Sequence, residues 1–123
     1  MNNRYEGIAG EEEAVEYLKG KGYKILERNY STKVGEIDVI AQDGEYIVFV
    51  EVKRRSDDRY GRALEAVTPA KITKIVRCAE WYLSSHRKYN ADVRFDIVTV
   101  GANGIDHLVN AFSREDRGQR HHW

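Results

Sequence analysis

The sequence predicts a single α/β domain in which one layer of β-sheet carries helices, with the element order αβββαββ. Three observations predict this class. The chain has 123 residues, a length typical of one domain that buries roughly two-thirds of its unfolded surface. Apolar residues between positions 72 and 83 recur at helical spacing. Two segments that alternate as strands do flank an Asp43-Gly44 pair, which is a strong hairpin signal.

The first predicted element is a helix from about Ile8 to Lys19, ended by the glycines at positions 20 and 22. Its apolar stripe consists of Ile8, Ala14, Val15 and Leu18. Glu11 falls near the middle of this stripe, where a carboxylate is costly unless something pairs with it. Glu11 therefore has a partner that offsets this cost, or the start of the helix is frayed, or the carboxylate favours the positive end of the helix.

Three strands are predicted next, over Tyr23–Tyr30, Val34–Ala41 and Tyr46–Lys53. A two-residue turn at Asp43-Gly44 sets Ile40 opposite Ile47 and places Asp38 diagonal to Glu51. In that register one face of the hairpin carries Glu36, Asp38, Ile40, Ile47, Phe49, Glu51 and Lys53. The other face carries Ile37, Val39, Ala41, Val48, Val50 and Val52. Both faces are partly apolar, so we expect the sheet to be covered on both sides.

The second half of the chain predicts a charged loop over Arg54–Val67 and then a helix. Thr68 is a good N-cap and Pro69 suits the first helical position. The helix stripe consists of Ile72, Ile75, Val76, Ala79, Tyr82 and Leu83. Two more strands, Val93–Val100 and Ile105–Phe112, complete the fold. We expect residues 1–113 to form the domain and residues 114–123 to form a polar tail.

Several classes of protein are excluded or disfavoured. The single cysteine, Cys78, rules out an internal disulfide framework. The longest run of bulky apolar residues, Tyr46–Val50, is too short to cross a bilayer. The N-terminus has no apolar segment typical of a signal peptide. We therefore expect a cytoplasmic protein without a membrane partner. The four histidines have no metal-ligand spacing, which disfavours zinc.

The acidic residues and lysine of the hairpin suggest a cation site. Acids that face each other across strands repel, and a divalent cation would offset this repulsion. Mg²⁺ or Mn²⁺ accepts hard oxygen ligands, which Asp38, Glu51 and the backbone carbonyl of Val52 offer. Lys53 would then orient or deprotonate a metal-bound water, or stabilise a pentavalent phosphate. This pattern predicts metal-assisted hydrolysis of a phosphodiester.

The charges are balanced overall but not locally. The formal net charge is +0, yet residues 1–52 hold 6 basic and 11 acidic side chains, while residues 53–77 hold 8 basic and 3 acidic ones. The basic segment contains the candidate nucleic-acid contacts Arg54, Arg55, Arg59, Arg62, Lys71 and Lys74. Arginine suits bidentate phosphate contacts, so we expect recognition of DNA by backbone and shape. The alternative is an ordinary solvated surface.

Two segments carry a resemblance to a known family. Gly35–Ala41 followed by Phe49–Arg54 resembles the YraN-like uncharacterised bacterial family. That family is similar to the PD-(D/E)xK nuclease superfamily, whose fold is restriction-endonuclease-like, and within it to archaeal-type Holliday junction resolvases. The resemblance covers most of the chain. It implies a mixed central sheet flanked by helices, which agrees with the element order above.

The resemblance also implies roles for individual residues. Asp38 and Glu51 match the metal ligands of the superfamily, and Lys53 matches its catalytic lysine. Glu11 matches the acid of the first helix that completes many such sites, both as a catalytic residue and as a metal ligand. One departure is Ile37, which stands where the superfamily has a proline before the motif aspartate.

Two functions from different classes follow. The first is a Mg²⁺- or Mn²⁺-dependent deoxyribonuclease acting on branched or otherwise structured DNA, for which the resemblance to resolvases implies a homodimer. The second is a non-catalytic nucleic-acid-binding module that keeps the nuclease fold. A third interpretation treats the acids and arginines as the ordinary ion pairs of a structural protein.

Overall fold

The computed structural model describes residues 3–55 and 67–116, with side chains described from residue 10 onward. The predicted α/β class and the order αβββαββ are confirmed. The elements are α1 (Asn3–Gly20), β1 (Lys24–Thr32), β2 (Gly35–Asp43), β3 (Tyr46–Arg54), α2 (Pro69–Ser85), β4 (Asp92–Gly101), β5 (Gly104–Phe112) and a 3-10 turn (Arg114–Asp116).

The five strands form one mixed sheet in the order β1-β2-β3-β4-β5. Strands β3 and β4 are parallel, and the other neighbouring pairs are antiparallel. A parallel pair needs a crossover that returns the chain to the same end of the sheet. Here α2 lies within that crossover, so the sequence from β3 to β4 forms a β-α-β unit. This connection brings the first turn of α2 close to the end of β3.

The two helices cover opposite faces of the sheet, as the two-sided apolar pattern predicted. On one face, α1 packs on the middle strands. The buried side chains of this layer are Ala14, Val15, Leu18, Tyr23, Val39, Ala41, Val48, Val50, Val98 and Val100. Helix α2 covers the other face. The main buried side chains there are Ile37, Ile40, Phe49, Ile72, Ile75, Val76, Ala79, Tyr82, Leu83, Phe95 and Ile97. Burial of these side chains is the main stabilising contribution to the domain, at about 25 cal/mol per Å² of apolar surface.

The boundaries of both helices follow from local sequence signals. Helix α1 begins at Asn3 rather than at Ile8, and it ends before Gly22, whose φ is +91°. A glycine adopts such a left-handed conformation without steric cost. In α2 the hydroxyl of Thr68 accepts a hydrogen bond from the backbone N–H of Lys71 at 3.2 Å, and Pro69 occupies the first turn. This N-cap fixes the start of α2 and with it the position of Lys71.

The register of the β2–β3 hairpin corrects the predicted one. Ile40 lies opposite Phe49, whereas the predicted turn placed Ile40 opposite Ile47. The shift is an even number of residues, two, so it does not by itself move any side chain to the other face of the hairpin. Continued by one step beyond the last pair, the observed register sets Asp38 directly opposite Glu51 instead of diagonal to it.

The position of the turn explains this shift. Asp43 still pairs with Tyr46, so the two turn residues are Gly44 and Glu45 rather than Asp43 and Gly44. Of these two, only Gly44 has a positive φ, at +59°. A glycine with positive φ at the first turn position is typical of the type II′ turns that close hairpins.

One predicted face assignment is wrong. Ile37 was expected to share a face with Val39, but Ile37 packs in the cluster beneath α2 while Val39 packs beneath α1. Regular alternation would place both on the same side of the sheet. The alternation of β2 is therefore broken between them, at Asp38.

Some predictions lie outside the described residues. Most of the charged loop expected over Arg54–Val67 falls in residues 56–66, and the end of the tail expected over residues 114–123 falls in residues 117–123. Neither described helix is both long enough and apolar enough to span a membrane.

Candidate metal and nucleic-acid site

The site is centred on Asp38, at the point where β2 and β3 separate. The described pairing of these strands ends with Val39 opposite Val50. Beyond it, Oδ2 of Asp38 accepts a hydrogen bond from the backbone N–H of Val52 at 2.8 Å. The carboxylate thus occupies the place where the next ladder bond would form. The N–H and C=O of a strand residue point to the same edge, so the carbonyl of Val52 faces the same gap.

A left-handed residue in the neighbouring strand contributes to this break. Asn29 of β1 has a φ of +53° and comes opposite Asp38 in the register of β1 with β2. The two residues next to Asn29 in the sequence contact helices on opposite faces of the sheet. Arg28 forms ion pairs with α1, and Tyr30 makes an edge-to-face contact with Tyr82 of α2. Alternation is therefore interrupted at the same level in both strands.

Glu51 lies beside Asp38 and is the more deeply buried of the two acids. Its exposed fraction is only 5%. Burial, followed by the charge of the neighbouring Glu51 carboxylate, raises the pKa of Asp38 to about 8. The hydrogen bond from Val52 acts in the opposite direction and does not cancel these two effects. The pair is therefore a site of concentrated negative charge that favours a proton or a cation.

One cation of the protein already contacts this pair. Nζ of Lys71, in the first turn of α2, lies 2.5 Å from Oε2 of Glu51. Burial lowers the pKa of Lys71, but the hydrogen bond to Glu51 and its charge outweigh burial, and the pKa is raised. The contact joins the helix that follows the basic segment to the strand that carries the acid.

Glu11 lies close to the pair but is bonded elsewhere. Its Oε1 accepts hydrogen bonds from the guanidinium of Arg28 at 3.1 Å and from the side-chain amide of Asn29 at 3.0 Å. Its side chain is 14% exposed, in agreement with the inward position predicted for it. The charge of Glu11 contributes to the raised pKa of Asp38, although it is the smallest of the five causes.

Lys53 lies at the exposed end of β3. It follows Glu51 by two residues and therefore points to the same face of the strand. In the parallel register with β4 it comes beside Thr99, which is 3% exposed. The hydroxyl of Thr99 is buried and has no hydrogen-bond partner among the described residues. A buried polar group without a partner is rare in folded proteins.

The donor set fits a hard divalent cation in part. Asp38, Glu51 and the Val52 carbonyl supply two carboxylates and one neutral oxygen, and Mg²⁺ needs only one or two carboxylates from the protein. However, within the described residues no three His, Cys, Asp or Glu side chains form a metal-binding group. Glu11 is drawn to Arg28 instead. A cation would thus be held by Asp38, Glu51 and the Val52 carbonyl without Glu11 as a direct ligand.

The basic residues predicted to contact nucleic acid have different surroundings. Lys71 contacts Glu51, and Lys74 is exposed one turn further along α2. Arg54 is 42% exposed and lies 3.9 Å from Glu13 of α1. Arg55 is bound within the protein, because its guanidinium donates to Asp106 at 2.7 Å. Two of the predicted contacts, Arg59 and Arg62, lie outside the described residues.

A second polar network lies on the α1 face of the sheet, where Asp96 of β4 comes beside Val50. Asp96 is fully buried in β4, and its Oδ2 lies 2.7 Å from Nε2 of His107, whose Nδ1 lies 3.1 Å from the hydroxyl of Tyr17. Asp96 also accepts hydrogen bonds from Arg94 and from the backbone N–H of Asn110. Burial raises the pKa of Asp96, but the bonds from His107 and Arg94 outweigh it and the pKa is lowered. The sequence does not indicate that His107 contacts Tyr17 and Asp96, because the three residues lie on three different elements.

Comparison with known proteins places the chain in a family. The profile of "Uncharacterised protein family UPF0102" matches residues 10–100. The chain belongs to the UPF0102 family. A UPF0102 protein of Syntrophomonas wolfei is 46% identical over 114 residues, covering 89% of this chain and 99% of that protein. Another, from Clostridioides difficile, is 45% identical over 114 residues, covering 91% and 100%. The predicted membership of an uncharacterised bacterial family is confirmed.

The UPF0102 match includes the described site. The matched range contains Glu11, Asp38, Glu51, Lys53 and Lys71. A solved structure described as "Structure of EndoMS-dsDNA2 complex" aligns with a TM-score of 0.36 and 21% identity. That alignment covers 70% of this chain and 34% of the other chain.

Proposed function

We propose that this UPF0102 protein is a metal-dependent endonuclease that hydrolyses phosphodiester bonds in structured DNA. The observation that carries the proposal is the Asp38–Glu51 pair at the point where β2 and β3 separate. Both acids are shielded from water, and burial together with mutual repulsion raises the pKa of Asp38. An ordinary structural role does not need two adjacent carboxylates in such a place, whereas a cation-binding role does.

Each residue of the site has a role in this reaction. Asp38, Glu51 and the Val52 carbonyl hold Mg²⁺ or Mn²⁺, which when bound polarises the phosphate and makes water a stronger nucleophile. Lys53 lies two residues beyond Glu51 on the same face and donates hydrogen bonds to the phosphate as its negative charge increases. Glu11 supports the site through Arg28 and Asn29, because these bonds join α1 to β1, the strand beside the one that carries Asp38.

The charge distribution around the site suits a polyanion. The basic residues begin at Lys53 and Arg54 and continue into α2 with Lys71 and Lys74. Cations near the site attract the phosphate backbone and lose affinity as salt is added. A branched substrate presents two strands to be cut, and a homodimer would supply the two active sites that this requires.

One observation favours the non-catalytic alternative. Both acids that flank Asp38 already have cationic partners in the protein, because Glu51 contacts Lys71 and Glu11 contacts Arg28. In a binding module that has lost catalysis, such pairs would replace the cation permanently. This alternative predicts salt-dependent DNA binding that is insensitive to divalent metal.

The direct test is cleavage of labelled DNA by the purified protein. Linear duplex, single-stranded DNA and a four-way junction are incubated with Mn²⁺, with Mg²⁺ and with EDTA. We expect metal-dependent cleavage by the wild type and at least a hundredfold loss of rate in Lys53→Met. Lys24→Met is the matched control, because Lys24 is an exposed strand lysine at the far end of the β1–β2 pair, opposite Gln42.

Two outcomes would overturn the proposal. One is the absence of cleavage on all three substrates together with unchanged melting temperatures in Mn²⁺. The other is equal cleavage by the wild type and Lys53→Met, which would assign the activity to a contaminant or to a different site. DNA binding that persists under the first outcome would support the binding module instead.

A further inference from the structure

The outer face of α2 carries a large aromatic side chain that the core does not use. Trp81 is 57% exposed, whereas Tyr82 and Leu83, which follow it, are buried. Trp81 borders an open depression of about 490 Å³ that is also lined by Val34, Arg77, Glu80, Ser84 and Ser85. Depressions of this volume are in the range of small-molecule sites.

The same face of α2 is basic. Lys74, Arg77 and Trp81 follow one another at steps of three and four residues, so they form one exposed row along the helix. The row starts one turn after Lys71, which contacts Glu51 of the candidate site. At about 1.5 Å per residue, the helix carries the row about 15 Å from Lys71 to Trp81. The exposed side chains of Lys74 and Arg77 therefore lie along the helix between the candidate site and the depression.

The residues that line the depression favour a nucleic-acid base over a phosphate as its ligand. The indole of Trp81 offers a flat face for stacking, and Ser84 and Ser85 offer hydroxyls. The carboxylate of Glu80 would repel a phosphate, but it can accept hydrogen bonds from the exocyclic amino group of a base. Arg77 and Lys74 lie on the side nearer the candidate site, where they can contact the phosphates that precede the base.

We propose that Trp81 and the row Lys74–Arg77 bind a single-stranded segment of nucleic acid, with an unpaired base stacked on the indole. This inference rests on the proposed function and specifies its substrate: DNA in which duplex and single strand meet near the cut. Stacked bases within a duplex do not expose a face to a side chain, whereas unpaired bases do. The nuclease would therefore prefer flaps, overhangs or junctions with unpaired nucleotides over blunt duplex.

The test uses the fluorescence of Trp81. The chain has two tryptophans, so a Trp123→Phe background leaves Trp81 as the one reporter. This protein is titrated in EDTA, which prevents cleavage, with a 12-nucleotide single strand and with a blunt duplex of the same length. We expect the single strand to quench the emission. The affinity of Trp81→Leu, which lacks this reporter, is measured by the anisotropy of end-labelled DNA; the substitution should weaken binding of the single strand about 5- to 150-fold and leave duplex binding within about twofold.

Two further variants separate stacking from other effects. Trp81→Phe keeps an aromatic face and should retain most of the affinity for the single strand. Tyr89→Leu is the matched control, because Tyr89 is 68% exposed but does not line the depression. It should bind both DNAs as the wild type does.

The outcomes separate this inference from the proposed function. If the wild type cleaves DNA but Trp81→Leu binds the single strand with unchanged affinity, the stacking site is wrong and the nuclease proposal stands. If no substrate is cleaved but Trp81→Leu weakens binding of the single strand as expected, the nuclease proposal is wrong and the single-strand site stands. If the emission changes on dilution without DNA and Trp81→Leu lowers the oligomeric state, Trp81 contacts a second copy and this inference is overturned.

Discussion

The Nζ atom of Lys71 lies 2.5 Å from Oε2 of Glu51. The contact joins the first turn of α2 to a glutamate of β3 that is 5% exposed. The ammonium therefore neutralises part of the charge that Glu51 and Asp38 would otherwise share. A cation bound by these acids would also neutralise their charge, so Lys71 and the proposed metal would have overlapping roles at this site.

Removal of this ammonium should make the protein more dependent on metal. We expect Lys71→Met to lower the stability in EDTA by about 1–2 kcal/mol, because the buried Glu51 loses its partner while the exposed half of Lys71 was already screened by water. Mn²⁺ should restore more stability to this variant than to the wild type. Melting temperatures with and without Mn²⁺ measure both effects, and Lys74→Met, one turn along α2, is the control. An identical rise in melting temperature with Mn²⁺ in the variant and the wild type would contradict the idea that Lys71 and a metal neutralise the same carboxylates.

Neutralisation of Asp38 should have the opposite effect on the metal-free protein. We expect Asp38→Asn to melt at a higher temperature than the wild type in EDTA at pH 9, since the substitution removes a buried charge next to Glu51. The amide can still accept the hydrogen bond from Val52. The same variant should lose the Mn²⁺-dependent rise in melting temperature. A lower melting temperature in EDTA, or a retained response to Mn²⁺, would argue against Asp38 as a ligand.

The left-handed conformation of Asn29 should tolerate glycine better than alanine. We expect Asn29→Ala to cost about 1–2 kcal/mol, because a side chain with Cβ resists a φ of +53°. Asn29→Gly should cost less, although it also removes the hydrogen bond to Glu11. Urea unfolding of the two variants gives the difference directly. If alanine is as stable as glycine, the break in β1 does not depend on this residue.

The network around Asp96 should make the stability depend on acid pH. The folded-state pKa of Asp96 lies below its usual value, so its contribution is present above about pH 4, the unfolded value, and is lost as the pH falls through the folded one. We expect Asp96→Asn to be about 3 kcal/mol less stable than the wild type at pH 7. The gap should shrink towards pH 3, as measured by urea unfolding. Tyr17→Phe, which removes only the hydroxyl that contacts His107, should cost about 1 kcal/mol.

The role of the buried hydroxyl of Thr99 can be tested by substitution. Thr99→Val keeps the shape of the side chain and removes a buried hydroxyl that has no hydrogen-bond partner within residues 3–55 and 67–116. We expect the stability to be unchanged or to rise by about 1 kcal/mol. If the hydroxyl serves the substrate beside Lys53, the cleavage rate should fall while the melting temperature does not. A clear loss of stability would mean that the hydroxyl has a structural partner.

Much of the fold could be predicted from the sequence because its signals are periodic. The stripe of α2 from Ile72 to Leu83 and the N-cap at Thr68 identify that helix by themselves. The strands follow from alternation, and apart from Ile37 the buried apolar residues of the hairpin lie on the predicted faces despite a register error of two residues. The register itself could not be predicted, because the sequence Asp43-Gly44-Glu45 offers its glycine to either of two neighbouring turns.

The site was predicted only to the extent that it depends on the hairpin. Asp38 and Glu51 were expected together, and the structure places them together. The partners of the acids could not be predicted, because Arg28 and Lys71 reach them from other elements. One local signal was available for Asn29, since asparagine is among the few residues that adopt a positive φ readily. It would have indicated a break in β1 but not that the break lies opposite Asp38.

The turn at Gly44 and Glu45 has a consequence for how the hairpin can change in length. Asp38 and Glu51 are the same number of residues away from the pair Asp43 and Tyr46 at the tip of the hairpin. The position of the turn therefore determines that the two carboxylates lie side by side. Insertion of one residue into either strand would rotate one carboxylate to the opposite helix. Two residues added symmetrically at the tip would lengthen the sheet and leave the carboxylates facing each other. The hairpin can therefore change in length without disrupting the site only if both strands gain or lose the same number of residues.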